Sequence, residues 1–402
     1  MRALVVLVAY LACPAQGAGF EDLQSNRRGE IPKSLKTLIK FLLGSSKTTA
    51  GWQLSGQGCR HIAHDLRRPG AGLKFCVTSS GLDKVPYSEV YGDTPPALSL
   101  SAPCKINLFL RILGKRPDNF HELASLFQTV SLADTLDFWE EPPDESAPLC
   151  TMEVSRDSLG REGIPTDESN LVMRALQLFA DKTGEKRRIH CRLHKAVPAQ
   201  AGLGGGSGDC ATAMHAANRL AGFPATEQQL IEWSGELGSD ISFFFSQGSA
   251  YCTGRGEIIE NVDALPPTTV YLIKPPYGCS TPAVFKTLGL KPGDKLAGNE
   301  PRDMLHKFQE SVFGAPYVND LEDPAFEVAP ELRALRDEIS NFGFPHVMMS
   351  GSGSTIFAVG EPSGTSADTW QSKLVERFPG VEIFKEQFCS RPGDEKLWYN
   401  ER

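Results

Sequence analysis

The stretch Pro198–Ala213, PAQAGLGGGSGDCATA, organises the reading of the whole chain. Five glycines (Gly202, Gly204, Gly205, Gly206 and Gly208) stand directly ahead of a run that reads as a helix of small residues. Each glycine raises the entropy cost of ordering the backbone, so their clustering needs a cause. Either the turn is tight, or something must approach the backbone very closely. A strand ending in KAVP, a glycine-rich turn and a helix opening at Ser207 would gather several backbone N–H groups into one concavity. Free N–H groups and the helix dipole favour an anion there. Ser207 adds a hydroxyl able to bond a phosphate oxygen or to sit beside a magnesium ion. No lysine follows the glycines, so the Walker pattern is absent. No acid closes a short strand about twenty residues on, so the dinucleotide-binding fingerprint fits poorly.

Upstream, LSLSAPCKINLFLRIL (98–113) reads as a strand. Alternation sets Ile106, Leu108, Leu110 and Ile112 on one face, and Lys105 and Asn107 on the other. That polar pair is either a solvated surface or part of a site. A turn at Gly114–Asn119 precedes Phe120 and His121. SLADTLDFWEE and CTMEVS read as strands. NLVMRALQLFADKTG reads as a helix capped by Asp167 or Ser169. RRIHCRLHKAVP reads as a strand leading into the glycines. The glycine-led helix ends at Gly222, and Thr226 caps the next one. Strands and helices do not alternate regularly, so the fold class is α+β.

Two later stretches point toward the same chemistry. In GSDISFFFSQGSAYCTGRGE (238–257), Asp240 stands ahead of ISFFF, read as an apolar strand. A half-buried acid there needs a cationic partner or a raised pKa, both tools of a general base; the competing reading is a turn stabiliser. HVMMSGSGSTIFAVG (346–360) sets a second glycine–serine turn between two strand-like runs, suited to closing on a nucleotide or supporting the first glycine loop.

The chain has 402 residues and a formal net charge of −8, so no global basic field points to nucleic acid. Its ten cysteines form no CxxC pair, which argues against a zinc site and favours a reducing compartment. Residues 1–94 read as a targeting leader. Arg2, an apolar run from Ala3 to Cys13 and small residues at Ala15–Ala18 have the layout of a signal peptide over about 1–18. The basic, acid-poor segment behind it carries Lys33, Lys36 and Lys40 and resembles an organelle transit peptide. Such a two-part leader suits import into a plastid through the secretory pathway.

The motifs SAPCKINLFLRILGKRPDNFHELASLFQTVSLADTLDF, PAQAGLGGGSGDCATA, GSDISFFFSQGSAYCTGRGE, VNDLE and MSGSGSTIFAVG occur in that order across about residues 98–390. Together they resemble the GHMP small-molecule kinases. The resemblance implies a two-domain fold. Residues 95–262 would form a domain like the second domain of ribosomal protein S5, and 263–402 a ferredoxin-like domain, with the active site in the cleft between them. It implies ATP and Mg²⁺ as cofactors and transfer of the γ-phosphoryl group to a small-molecule alcohol.

The closest motif match is to members whose acceptor is the 2-hydroxyl of a methylerythritol carrying a cytidine diphosphate group, in the route to isoprenoids. On that resemblance Asp240 is the catalytic base and Lys105 its cationic partner, while Asn107 orients the substrate. Pro198, Ala199, Gln200, Ala201, Gly202, Leu203, Gly204, Gly205, Gly206, Ser207 and Gly208 wrap the ATP phosphates, with Ser207 a metal candidate. Phe120, His121 and Phe285 take the cytidine end. The chain would be a monomer or homodimer, with no nucleic-acid partner and no membrane in the mature form. The family usually carries two serines after the glycines; here the order is Ser207-Gly208-Asp209. Two other readings are a GHMP kinase with a homoserine- or mevalonate-type acceptor, and a non-catalytic nucleotide-binding regulator. Retention of Lys105 and Asp240 argues against the last.

Overall fold

β1 (Leu98–Lys115) and β2 (His121–Glu141) pair antiparallel along almost their whole length. They anchor a computed structural model that describes Tyr91 and residues 94–295, 300–363 and 367–401. The expected leader lies outside the described residues except for Tyr91 and Thr94. Tyr91 stacks on Trp139 at 5.1 Å, and the Thr94 carbonyl accepts from Trp139 Nε1 at 3.1 Å.

β1 is buried without interruption from Ala102 to Leu110, because both of its faces are covered. The expected single apolar face does not persist. A register shift between Asn107 and Phe109 breaks the alternation. Ile106 and Leu108 pack in one apolar cluster, Leu110 and Ile112 in another. The segment HELASLF, which follows the turn at Gly114–Asn119, is the first third of the continuous strand β2.

The first sheet adds β3 (Cys150–Val154), β4 (Arg188–His194), β5 (Ser249–Gly254) and β6 (Ile258–Asn261), in the order β3-β4-β2-β5-β6 with β1 also on β2. β2 is long enough to pair β5 through residues 123–128 and β4 through 135–141. β3 and β4 run parallel, and helix α1 (Leu171–Thr183) lies in the crossover between them. The cap of α1 is Asn170, whose side chain accepts from Val172 N at 2.8 Å, rather than Asp167 or Ser169. Asp167 instead accepts from the Ser169 backbone and hydroxyl, closing the preceding turn.

Helix α2 spans Gly205–Leu220, opening two residues before Ser207; Gly222 follows it with φ 82°. Its small residues let it lie against β1: a Cβ on Gly208 would come within 2.6 Å of the Pro103 carbonyl oxygen. α3 (Glu227–Ser234) begins with a capping box at Thr226. The run after Asp240 is a 3₁₀ turn, Ser242–Phe245, not the expected strand. Its three phenylalanines are fully buried, two of them at least against Phe127 and Trp398, so apolarity there reflects depth rather than a ladder.

The second sheet has the order β10 (Glu382–Gln387), β7 (Thr269–Lys274), β9 (Ile356–Val359), β8 (His346–Met349), all antiparallel. With it go α4 (Thr281–Leu288), α5 (Pro301–Glu310), α6 (Glu322–Val328), α7 (Pro330–Asn341) and α8 (Ala367–Arg377). Three apolar clusters define the layers. Phe138, Met152, Leu176 and Met214 join α1 and α2 to the first sheet. Ile106, Leu126, Leu272 and Phe357 join the two sheets, with Phe308 of α5. Ile273, Ile356, Leu335 and Trp370 join the second sheet to its helices. Among the described residues, no helix is long and apolar enough to cross a membrane.

Candidate active site

The glycines of the quoted turn meet different demands. Gly202 and Gly204 hold left-handed φ values of 75° and 66°. A Cβ on Gly202 would lie 2.4 Å from the Ser350 carbonyl oxygen, and one on Gly205 2.8 Å from Val197 Cγ1. The protein's own packing therefore excludes side chains at both, as it does at Gly208. Gly206 differs: it is exposed, and the nearest contact of its Cβ would be Leu171 Cδ1 at 3.8 Å. Close packing and an open surface thus occur in the same turn.

Gly204 caps α2 without a side-chain hydrogen bond. Helix geometry leaves the N–H groups of Gly205, Gly206 and Ser207 without intrahelical acceptors. They border a cavity of about 430 Å³ that Asn170, Leu171, Lys195 and the glycine turn line. An N-terminal helix dipole and unpaired N–H groups at the edge of such a cavity suit a phosphate.

β1 supplies the next group. The backbone N–H of Lys105 donates to the Leu203 carbonyl at 2.8 Å, tying strand to glycine turn. Lys105 Nζ donates to Asn107 Oδ1 at 2.8 Å and lies 4.6 Å from the Phe127 ring centroid. Asn107 Nδ2 in turn donates to Ser125 Oγ at 2.9 Å. The polar pair is buried, so the solvated-surface reading fails. Burial lowers the Lys105 pKa, and the nearby charge of Asp240 works in the opposite direction.

Asp240 is half-buried, and its Oδ1 accepts from Ser207 Oγ at 2.8 Å. Lys105 and Asp240 make no direct ion pair; the lysine's hydrogen-bond partner is Asn107. Ser207, Asp240 and the start of α2 thus meet at one point, with Lys105 within electrostatic reach.

At the other end, His121 stacks on Phe285 of α4 with ring centroids 4.6 Å apart. His121 Nε2 is buried without a hydrogen-bond partner among the described residues. Burial, then the charge of Lys115, lowers its pKa, so the ring is neutral and can both donate and accept. Phe120 is exposed, with the Arg255 guanidinium 4.9 Å from its centroid. Gly256, next to Arg255, lies against the Ser239 carbonyl (3.4 Å from an added Cβ), so the turn that carries Arg255 borders the Asp240 turn.

The second glycine–serine turn supports the first. Ser350 Oγ donates to the Gly202 carbonyl at 2.9 Å, and Thr355 N to the Ala201 carbonyl at 3.1 Å. Thr281 of α4 bonds Ser352 at 2.6 Å, which ties in the helix that carries Phe285.

A buried ion cluster below the glycine turn was missed in the sequence. Lys195 Nζ bonds Asp134 and, at 2.9 Å, Asp209 Oδ2. Asp134 Oδ1 also accepts from the backbone N–H groups of Ala196 and Val197, at 2.6 and 2.8 Å. Asp209 therefore turns inward, and its Oδ1 is buried without a partner. Burial pushes the Asp209 carboxyl up to about 8, against the pull of Lys195. Burial opposes the Lys195 charge too, but the two acids outweigh it and raise its pKa. The available signals were an acid inside the apolar run SLADTL and a lysine just ahead of the glycine turn. Among the described residues no cluster of three or more His, Cys, Asp or Glu side chains could hold a metal. A magnesium ion carried on nucleotide phosphates needs only one or two protein oxygens. Ser207 and Asp240 offer these; Asp209 does not.

The family model "GHMP kinases N terminal domain" matches residues 170–248, and "GHMP kinases C terminal" matches 296–379. The chain is 45% identical over 310 residues to "4-diphosphocytidyl-2-C-methyl-D-erythritol kinase, chloroplastic" of Oryza sativa subsp. japonica, covering 76% of this chain and 73% of that protein. A bacterial relative from Protochlamydia amoebophila, "4-diphosphocytidyl-2-C-methyl-D-erythritol kinase", is 44% identical, covering 66% and 85%. Among solved structures, "4-(cytidine 5'-diphospho)-2C-methyl-D-erythritol kinase" superposes with a TM-score of 0.57 at 29% identity, covering 73% of this chain and 99% of that one.

Proposed function

We propose, because the chain belongs to the GHMP kinase family, that it transfers the γ-phosphoryl group of ATP to the 2-hydroxyl of 4-diphosphocytidyl-2-C-methyl-D-erythritol, releasing ADP. The observation that carries this reading is the meeting of Ser207, Asp240 and the α2 start, with Lys105 close by. Identity of 44–45% to relatives bearing that activity in their names supports the choice of acceptor.

Phosphoryl transfer asks the protein for position and opposite charge more than for covalent chemistry. The N–H groups at the start of α2 and the Gly206 surface receive the terminal phosphates. Asp240 takes the proton of the attacking hydroxyl as oxygen bonds to the γ-phosphorus and the bond to the ADP oxygen breaks. Lys105, held by Asn107, offsets negative charge at the transferring group. Ser207 aims the Asp240 carboxylate. Ser207 and Asp240 would hold a magnesium ion carried on the nucleotide, which would supply positive charge against the phosphates. His121, Phe120 and Phe285 hold the cytidine, and His121 Nε2 has no hydrogen-bond partner of its own among the described residues.

The reading assigns the mature enzyme to a plastid, as the names of the rice, peppermint, tomato and Arabidopsis relatives say of those proteins. Residues 1–94 would direct it there by way of the secretory pathway. A fluorescent fusion of 1–94 that stays in the cytosol would end that part.

The acceptor is tested by ADP release with 4-diphosphocytidyl-2-C-methyl-D-erythritol, homoserine and mevalonate in parallel. Turnover with the first alone is expected. Turnover with either of the others instead would overturn the assignment.

A further inference from the structure

The motif VNDLE, residues 318–322, has no part in the mechanism above, yet it bonds to both halves of the site. Asn319 is buried, and its Nδ2 donates twice: to the Met349 carbonyl at 2.9 Å and to the Gly351 carbonyl at 2.7 Å. Its Oδ1 accepts from Leu321 N at 2.9 Å. Both amide hydrogens and one lone pair of the amide oxygen are therefore used. Glu322 adds a bond from Met349 N at 3.0 Å. On the other side, Leu110 N donates to the Val318 carbonyl at 2.8 Å, and Asp320 N to the Leu110 carbonyl at 3.0 Å. The motif thus joins β1, the strand of Lys105 and Asn107, to the turn 350–354.

That turn touches both functional groups. Gly351 lies over the polar pair: a Cβ there would be 3.4 Å from Asn107 Oδ1 and 3.9 Å from Lys105 Nζ. Ser350, one residue earlier, holds the Gly202 carbonyl. A shift of the turn would move the glycine turn and the space above Lys105 together. Its own bonds, Ser350 N to the Thr355 carbonyl at 2.9 Å and Gly353 N to the Ser350 carbonyl at 3.0 Å, close the turn on itself. The Asn319 carboxamide holds the carbonyls on either side of Ser350 to the rest of the fold.

We infer that Asn319 is a positioning residue for phosphoryl transfer, acting through its two bonds to the Met349 and Gly351 carbonyls to set the second glycine turn against Gly202 and Lys105. The inference rests on the kinase reading above. Among the described residues no other side chain donates to both carbonyls, and no backbone strand pairing reaches Gly351.

Asp320 provides the internal control. It sits in the same motif and is held as firmly, accepting from Arg111 Nη1 at 2.7 Å and from Ile112 N at 2.8 Å, but it does not touch the glycine turns. Asn319→Asp keeps the shape and the bond from Leu321 N while facing two carbonyls with an acceptor. We expect kcat to fall at least about tenfold and KM for ATP to rise several-fold, as loss of hydrogen bonds in a buried network requires. Amide hydrogen exchange in the peptide covering 199–207 should speed up by a similar factor. Asp320→Asn should lower the melting temperature and leave the kinetic constants and that peptide's exchange as in the wild type. If Asn319→Asp does not fold, Ser350→Ala tests the same chain of contacts one bond further on, with the same rise in exchange at 199–207 and in KM for ATP. Wild-type kinetics and exchange in Asn319→Asp would overturn the inference, as would identical effects from the Asn319 and Asp320 variants. A wild-type protein without kinase activity would instead overturn the functional reading on which it rests.

Discussion

The Ser207 hydroxyl donates to Asp240 Oδ1 at 2.8 Å, joining the first turn of the glycine-led helix to the acid that precedes a buried 3₁₀ turn. The two residues are 33 apart in sequence, and their bond fixes the carboxylate beside unpaired helix N–H groups. A hydrogen bond to a charged group is worth about 1.5–3 kcal/mol, or roughly ten- to a hundredfold in rate if it is needed at the transition state. Ser207→Ala should therefore lower kcat by about that factor, and Ser207→Thr should recover part of it. Steady-state kinetics on the two variants checks this.

Burial lowers the pKa of Lys105, so its ammonium loses its proton at a lower pH than an ordinary lysine, whose value is 10.5. Because transfer needs the cation, kcat/KM should fall as pH rises through that lowered value. The limb will lie below the range of a free lysine. Lys105→Arg keeps a charge that does not titrate, so its lower residual activity should show no such alkaline limb. A pH–rate profile of both proteins checks this.

Asp209 binds its proton more tightly in the folded chain than in the unfolded one. The stability linked to that proton is complete below the ordinary carboxyl value of 3.8 and declines as pH rises toward about 8. Asp209→Asn removes the titration. Its unfolding free energy should fall less steeply across that window than the wild type's, as urea denaturation at a series of pH values would reveal.

The end of the chain packs back into the first core. Trp398 is fully buried, its Nε1 donates to Thr212 Oγ1 at 3.0 Å, and it stacks on His215 at 4.4 Å. Trp398→Ala should cost about 3–5 kcal/mol, the range for truncating a large buried aromatic. Urea unfolding measures the loss.

The fold class was legible because its longest signals are simple. β1 alternates through Ile106, Leu108, Leu110 and Ile112, α1 repeats at helical spacing, and the glycine turn marks a strand-to-helix change. What alternation could not convey was the register shift after Asn107, which sends Leu110 and Ile112 to a different core from Ile106. Apolarity alone could not tell a deep 3₁₀ turn from a strand in SFFF. Lys105, Asn107 and Asp240 stood out because charged or amide groups sat among apolar neighbours. Lys195 and Asp134 carry the same signal, but their pairing across 61 residues is a property of the folded sheet. The glycines look alike in sequence; only the packing around each separates Gly206, open to the cavity, from Gly202, Gly205 and Gly208, which are closed off.

The most direct test is ADP release by the purified protein with ATP and 4-diphosphocytidyl-2-C-methyl-D-erythritol, comparing the wild type with Asp240→Asn. The variant keeps the size of the side chain but cannot accept the proton. Turnover should fall on the order of 10²–10⁴-fold with KM for ATP little changed. Equal turnover in the two proteins would contradict Asp240 as the base and the site built around it.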